Sequence, residues 1–215
     1  MTTPILKWRD GAGWLILSGS PDIHTDTRAQ VLARIKAGGG IAYVGMRVED
    51  IESLMDDMDD LGAPTGYFVN IVAEDDASIE ARLTEASCIV LPNIAPLEDF
   101  HSALMGAALQ GIITCYELGG VIFAEGATAT LFGTMFFDST GKPHTAFNWL
   151  EGVVIFSDIT SMAEAPIARQ LLAGGEASLA LGIGQGSAIA FGTVGELTPL
   201  GKQQVTLVLG SAPPL

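Results

Sequence analysis

Residues 119–129, which read GGVIFAEGATA, decide the fold. Two glycines end a long helical pattern, the apolar run 121–123 follows, and a turn of small residues leads into another helical pattern. This order is typical of a nucleophile elbow, a sharp turn that lifts one side chain over the start of a helix. Such a turn needs serine or cysteine at its apex for nucleophilic chemistry, and this chain has Gly126 there.

Outward from this turn, short apolar runs alternate with amphipathic runs, which predicts a three-layer α/β fold with a mostly parallel sheet and helices on both faces. We expect one domain over residues 1–215. From residue 178 onward only strands are predicted, and these would form an antiparallel extension at the C-terminus. The predicted strands are 13–18, 41–44, 67–72, 88–91, 121–123, 153–156, 179–183, 187–191 and 205–209, and the predicted helices are 25–37, 48–61, 78–86, 97–118, 127–132 and 163–172.

The composition narrows the classes of partner. The net charge is −15, so phosphate backbones and anionic lipid surfaces are disfavoured, and we expect neither a nucleic-acid nor a membrane partner. The apolar stretch 119–137 contains Glu125, which favours a buried strand and helix over a membrane span. Residues 1–11 lack a signal-peptide pattern, so the predicted location is cytoplasmic.

No cofactor motif and no metal-ligand spacing is found in the sequence. Cys88 and Cys115 lie in apolar runs and are predicted to be buried thiols. We therefore predict neither a cofactor nor a metal.

Five segments together resemble the cyanophycinase and dipeptidase E family of serine peptidases, whose fold is like that of class I glutamine amidotransferases. They are residues 17–19 (LSG), 86–91 (ASCIVL), 119–121 (GGV), 151–155 (EGVVI), and 180–183 with 187–189 (ALGI and SAI). The resemblance covers nearly the whole chain and implies a flavodoxin-like, hydrolase-type architecture. It also implies self-association, here a homo-oligomer such as a dimer.

The functional residues of that family do not carry over. The family's elbow sequence, Gly-Thr-Ser-Ala-Gly-Ala, aligns with residues 124–129 of this chain, so Gly126 stands in the nucleophile position. The family's Gly-Gly-Asp-Gln loop beside the oxyanion site aligns with residues 93–96 (NIAP). Asp158 stands in the position of the family's histidine. Gly184 and Gln185 replace an acidic pair. The resemblance therefore implies a catalytically degenerate member.

Three hypotheses follow. The first is a non-catalytic protein that binds a small molecule or peptide in the cleft at the carboxyl ends of the strands. Candidate residues for lining this cleft are Ser18, Ser20, Asn93, Glu125, Thr128, Ser157 and Asp158. The alternative for Thr128 and Glu125 is that they only cap a helix N-terminus.

The second hypothesis is a hydrolase with rearranged chemistry. Glu125 and Asp158 would form a carboxylate pair for acid–base work or for a metal, and Thr128 would replace the missing nucleophile. The third hypothesis is a subunit of a larger assembly.

Overall fold

The computed structural model describes residues 6–36 and 38–210. The strands are β1 Trp14–Ser18, β2 Ile41–Gly45, β3 Gly66–Asn70, β4 Cys88–Leu91, β5 Val121–Glu125, β6 Met135–Phe137, β7 Pro143–Thr145, β8 Val153–Ser157, β9 Leu179–Ile183, β10 Ser187–Phe191, β11 Leu197–Gly201 and β12 Val205–Leu209. The α-helices are α1 Thr27–Leu32, α2 Glu52–Asp60, α3 Asp76–Thr84, α4 Leu97–Leu104, α5 Ala107–Glu117 and α6 Pro166–Gly174. Short 3₁₀ helices cover Val48–Asp50, Gly126–Phe132 and Met162–Glu164.

The main sheet has seven strands in the order β11-β10-β1-β5-β4-β2-β3. The five strands from β1 to β3 in this order are parallel, and β10 and β11 extend the sheet in antiparallel fashion beyond β1. The predicted mostly parallel α/β fold with an antiparallel C-terminal extension is confirmed.

Alternating side chains of the parallel strands build the layers on either face of the main sheet. On β1, Leu15 and Leu17 pack into the same buried cluster as side chains of α3 and α5, whereas Ile16 packs into a second cluster with α1 and α2. All three β1 side chains are fully buried, and burying each contributes roughly 2 kcal/mol. The sheet therefore forms the middle of three layers.

A second, three-stranded sheet has the order β12-β9-β8, with β8 and β9 parallel. Helix α6 covers one face, and the other face joins the main core through Ile155 and Leu181. The predicted C-terminal extension is thus divided, because β9 and β12 join β8 whereas β10 and β11 join β1.

Strand β11 is an edge strand, so it tolerates Pro199, whose ring removes a backbone donor. This proline is one reason why the sequence pattern did not indicate β11; the hairpin β6–β7 was missed as well.

The predicted long helix 97–118 is wrong in one respect. It is broken into α4 and α5 at Gly106, whose φ of 104° lies in a region that only glycine enters readily. The first predicted helix is also shorter than expected, and its predicted last residue, Ala37, lies outside the described residues. None of the helices within residues 6–36 and 38–210 is long and apolar enough to cross a membrane.

Replacing Gly106 by alanine should destabilise the protein by about 2 kcal/mol, because a residue with a Cβ atom is strained at the positive φ of this position. The space around this position is open, so strain alone is tested. Gly174→Ala at the end of α6 is the matched control, since its backbone is helical and its nearest neighbour is the flexible Glu176 side chain. Urea unfolding should show a lower midpoint for Gly106→Ala only. Equal midpoints would contradict the break at residue 106.

Candidate functional site

The elbow is present at the carboxyl end of β5. This strand runs to Glu125, Gly126 turns the chain with φ of 60°, and the next segment is helical. The segment is a 3₁₀ helix rather than the predicted α-helix. In the parallel pairing of β1 with β5, Ser18 lies opposite Glu125, so both strands end at the same edge. This edge is where open α/β sheets bind their ligands.

The side chain of Asn93 fills the space at the apex of the elbow. Asn93 follows β4, and a Cβ atom at position 126 would lie 2.7 Å from its Oδ1 and 2.8 Å from its Nδ2. The Ala127 backbone N–H donates a hydrogen bond to Asn93 Oδ1 over 3.0 Å. The residue after the apex supplies an oxyanion-hole donor in a working elbow. Here that donor is already bound by the protein itself.

Ser20 and Asp158 link the loops that follow β1 and β8 beside the elbow. The Ser20 backbone N–H and hydroxyl donate to the Asp158 carboxylate over 2.6 and 2.7 Å. Asn93 Nδ2 approaches Ser20 Oγ at 3.5 Å. Asp158 has a φ of 60°, which is unusual for a residue with a side chain. The loops after β1, β4 and β8 are thereby joined by one chain of hydrogen bonds.

Glu125 forms a buried ion pair with Arg28 of α1. Its side chain is 4% exposed, and Arg28 Nε and Nη2 donate to its two oxygens, each over 2.9 Å. Arg28 Nη1 also donates to Asp57 of α2 over 2.6 Å. Burial by itself lowers the pKa of Arg28, but the bonds and charges of Glu125 and Asp57 outweigh it and raise the pKa above its ordinary value. Glu125 is thus held as one half of a bidentate pair.

The two carboxylates and the threonine of the rearranged-hydrolase hypothesis each bond to a different group of the protein. Glu125 bonds to Arg28, whereas Asp158 bonds to Ser20. The Thr128 side chain is fully buried, and its hydroxyl donates to the Pro92 carbonyl over 2.6 Å. Thr128 therefore holds the loop after β4 against the elbow helix and does not face the cleft.

The remaining predicted residues lie around the same edge. The buried Ser18 hydroxyl donates to the adjacent Gly19 carbonyl over 2.9 Å. Ser157 is the last residue of β8 and is half-buried. The Gln185 amide reaches the Pro21 carbonyl at 3.4 Å. The structure thus gathers these residues, with Ser20, Asn93, Glu125 and Asp158, at one end of the sheets.

Two of the three histidines make their contacts away from the elbow, whereas His24 lies in the loop after β1, where its backbone N–H donates to Asp22 Oδ1 over 2.8 Å. His101 stacks on Phe147, and His144 is 2.8 Å from the Asp138 carboxylate. Cys88 and Cys115 are buried as predicted, and burial raises the pKa of Cys115 to about 12. A thiol with this pKa stays protonated at neutral pH, so it is a poor nucleophile. No metal-binding group of three or more His, Cys, Asp or Glu occurs among residues 6–36 and 38–210.

Two cavities flank the elbow. The first, which we call the acidic cavity, has a volume of about 310 Å³, and its walls include Ser18, Ser20, Arg28, Asp57, Asp60 and Glu125. The second, which we call the apolar cavity, has a volume of about 490 Å³, and its walls include Leu97, Ala127, Phe137, Ile155, Ser157 and Ile167. Both volumes are in the range of ligand sites. Glu125 borders one and Ala127 the other, so Gly126 lies between them.

Arg28 and Asp57 are the site residues that the sequence analysis missed. A glutamate at the buried end of an apolar strand is stable as an ion only beside a cation. The sequence therefore indicated that Glu125 needs a cationic partner. The pattern could not show which arginine or lysine meets it, because Arg28 is 97 residues away.

The overall fold is similar to those of solved structures described as peptidases. The structure of a peptidase from an acI-B1 Actinobacterium superposes on this chain with a TM-score of 0.74, at 17% sequence identity, over 95% of this chain and 94% of that one. A protein from Listeria monocytogenes EGD-e, assigned as a Peptidase E, superposes with a TM-score of 0.65, at 13% identity, over 88% of this chain and 98% of that one. No protein-family model and no curated protein matches the sequence. At these identities the likeness shows the fold alone.

Replacing Arg28 by alanine should lower the free energy of unfolding by about 3 kcal/mol, because the buried Glu125 loses its cation. The double variant Arg28→Ala, Glu125→Gln should recover part of this loss, since the buried charge is then removed. Arg47→Ala is the control, because the Arg47 side chain in its ion pair with Asp50 is 69% exposed. Urea unfolding measures all three, and an Arg28→Ala midpoint equal to that of Arg47→Ala would be inconsistent with the buried pair.

Proposed function

We propose that this protein is a non-catalytic relative of the cyanophycinase and dipeptidase E type of peptidase, which binds a ligand in the cleft beside the elbow. One observation carries the proposal. The nucleophile position is a glycine, and the Asn93 carboxamide stands within 3 Å of where a side chain would begin. A peptidase fold with a filled apex has kept the architecture of the site without its reacting group.

The supporting chemistry concerns three parts of acyl transfer. Gly126 supplies no hydroxyl, Asp158 at the histidine position bonds to Ser20, and the Ala127 N–H is taken by Asn93. Removing a single member of a catalytic triad lowers kcat by roughly four orders of magnitude or more. The joint loss of nucleophile, base and open oxyanion donor therefore leaves no route for the family reaction.

The two cavities support a binding role. They occupy the crevice at the carboxyl ends of the strands, where open α/β sheets carry their sites. Their walls combine apolar side chains with a few convergent polar groups, as ligand pockets do. The candidate residues Ser18, Ser20 and Glu125 line the acidic cavity, and Ser157 lines the apolar one.

A second candidate is a hydrolase with rearranged residues, and one contact favours it. The Ser20 hydroxyl is half-exposed at the cleft and lies 2.7 Å from the Asp158 carboxylate, which could accept its proton. Ser20 is a better candidate nucleophile than Thr128, whose hydroxyl is buried on the Pro92 carbonyl. A carboxylate is a weak base for an alcohol, so we rank this candidate second.

A fluorophosphonate probe distinguishes the two candidates. We expect no labelling of the folded protein, with an active serine hydrolase in the same tube as the positive control. Ser20→Ala, Thr128→Ala and the exposed-serine control Ser102→Ala should all behave like the parent in gel fluorescence and peptide mass spectrometry. Labelling that is lost in Ser20→Ala or Thr128→Ala but kept in Ser102→Ala would refute the non-catalytic proposal.

A further inference from the structure

We infer that the contact between helix α4 and the hairpin β6–β7 is sensitive to pH, and that protonation of His101 loosens it. Both elements line the apolar cavity. Leu97 belongs to α4, Phe137 to β6, and Gly141 to the turn between β6 and β7. The inference goes beyond the proposed binding function, because it concerns how this wall is held and not what the cavity binds.

His101 joins α4 to the hairpin through aromatic rings. Its ring centroid lies 4.9 Å from that of Phe136 on β6 and 5.2 Å from that of Phe147, and it is stacked on Phe147 with 25° between the planes. Phe136 is 1% exposed, and His101 itself is half-buried. The imidazole therefore fills space between the helix and the hairpin as an aromatic side chain would.

A second histidine lies on the hairpin beside the same phenylalanine. His144 pairs with Phe136 across the two strands, and their rings are stacked with centroids 5.2 Å apart. His144 Nε2 lies 2.8 Å from the Asp138 carboxylate. The Thr140 hydroxyl, followed by His144, holds the pKa of Asp138 well below its usual range. Asp138 thus stays an anion where histidines titrate, and it keeps a protonated His144 in place.

Protonation of His101 in its packed position is unfavourable. Burial lowers the pKa of His101, and the neighbouring His144 lowers it further. The attraction of a cation to an aromatic ring offsets part of this cost. In acid, two imidazolium groups would contact Phe136, and one of them is fixed by Asp138.

The other charged groups around His101 are few. Glu98 and Asp99 precede it on α4, and the turn of the hairpin contributes Lys142 besides Asp138, which is paired with His144. The remaining segments that pack against α4 bring no charged residue in 107–116, 126–132 and 146–149. The net effect of these surroundings is a lowered pKa of His101.

The direction of the pH effect follows from this lowered pKa. A His101 side chain released into solvent binds protons more readily than the packed one. The packed state is therefore fully favoured above the ordinary histidine pKa of about 6.5 and loses stability as the pH falls below it. Phe147 also packs on Phe132 of the elbow helix, with ring centroids 5.7 Å apart, so the loosening extends toward the elbow.

The test is amide hydrogen exchange of the intact protein, followed by NMR at about pH 7.5 and about pH 5. The reporters are the Asp138 N–H, bonded to the Lys142 carbonyl, and the Ala146 N–H, bonded to the Thr134 carbonyl, both over 3.1 Å. Their protection factors, corrected for the intrinsic exchange rate, should fall about fivefold in acid. Ser87, whose N–H bonds to the Gly40 carbonyl, should keep its protection. Equal hairpin protection at both pH values would overturn the inference.

A matched pair of variants assigns the effect to one histidine. His101→Phe keeps an aromatic ring between α4 and the hairpin but cannot be protonated, so its hairpin protection should be the same at both pH values. His24→Phe, in the exposed loop after β1, should behave like the parent. Acid loosening that persists in His101→Phe would overturn the inference.

A measurement on the parent protein alone provides a second test. Titration of the histidine ring C–H signals by NMR should give His101 a pKa below the ordinary value of about 6.5. A His101 pKa at or above that value would overturn the inference, because the packed state would then gain stability in acid. No ligand takes part in these experiments, so their outcome is independent of the proposed function.

Discussion

The left-handed turn at Gly126 is the constraint on which the site depends. A φ of 60° at the end of a buried parallel strand places the next residues over the cleft. Glycine adopts this conformation freely, and it leaves a space that the Asn93 carboxamide fills. The Asn93 side chain in this space accepts a hydrogen bond from the Ala127 N–H and brings the loop after β4 against the loop after β1. The absence of a side chain at position 126 thus accounts for both the position of the Asn93 carboxamide and the bonded Ala127 N–H.

The Glu125 and Asp158 carboxylates beside the elbow are both bonded to other groups of the protein. Glu125 would be costly at a buried strand end if it were alone, and its bidentate pair with Arg28 offsets much of that cost. The same pair fixes α1 and, through Asp57, α2 beside the cleft. Asp158 ties the loop after β8 to Ser20. These contacts stabilise a preformed crevice, which is a property that a binding site needs.

The sequence was sufficient for most of the fold and for the position of the elbow, but not for the contacts at the site. Periodicity located the buried parallel strands well, because each is a continuous apolar run between turns, as at residues 88–91. It missed β11, where Pro199 interrupts an edge strand, and the break at Gly106, where a glycine lies within a helical pattern. The partners of Glu125 and Thr128 come from distant segments, so only tertiary structure reveals the pair with Arg28 and the bond to Pro92.

The central claim is most directly tested by a crystal structure of the intact chain at a resolution that orients side-chain amides. Our account predicts Asn93 packed against Gly126, with its Oδ1 about 3.0 Å from the Ala127 nitrogen and no hydroxyl or thiol at the apex. A serine, threonine or cysteine side chain standing over the start of the elbow helix, with an imidazole in hydrogen-bond range, would contradict it.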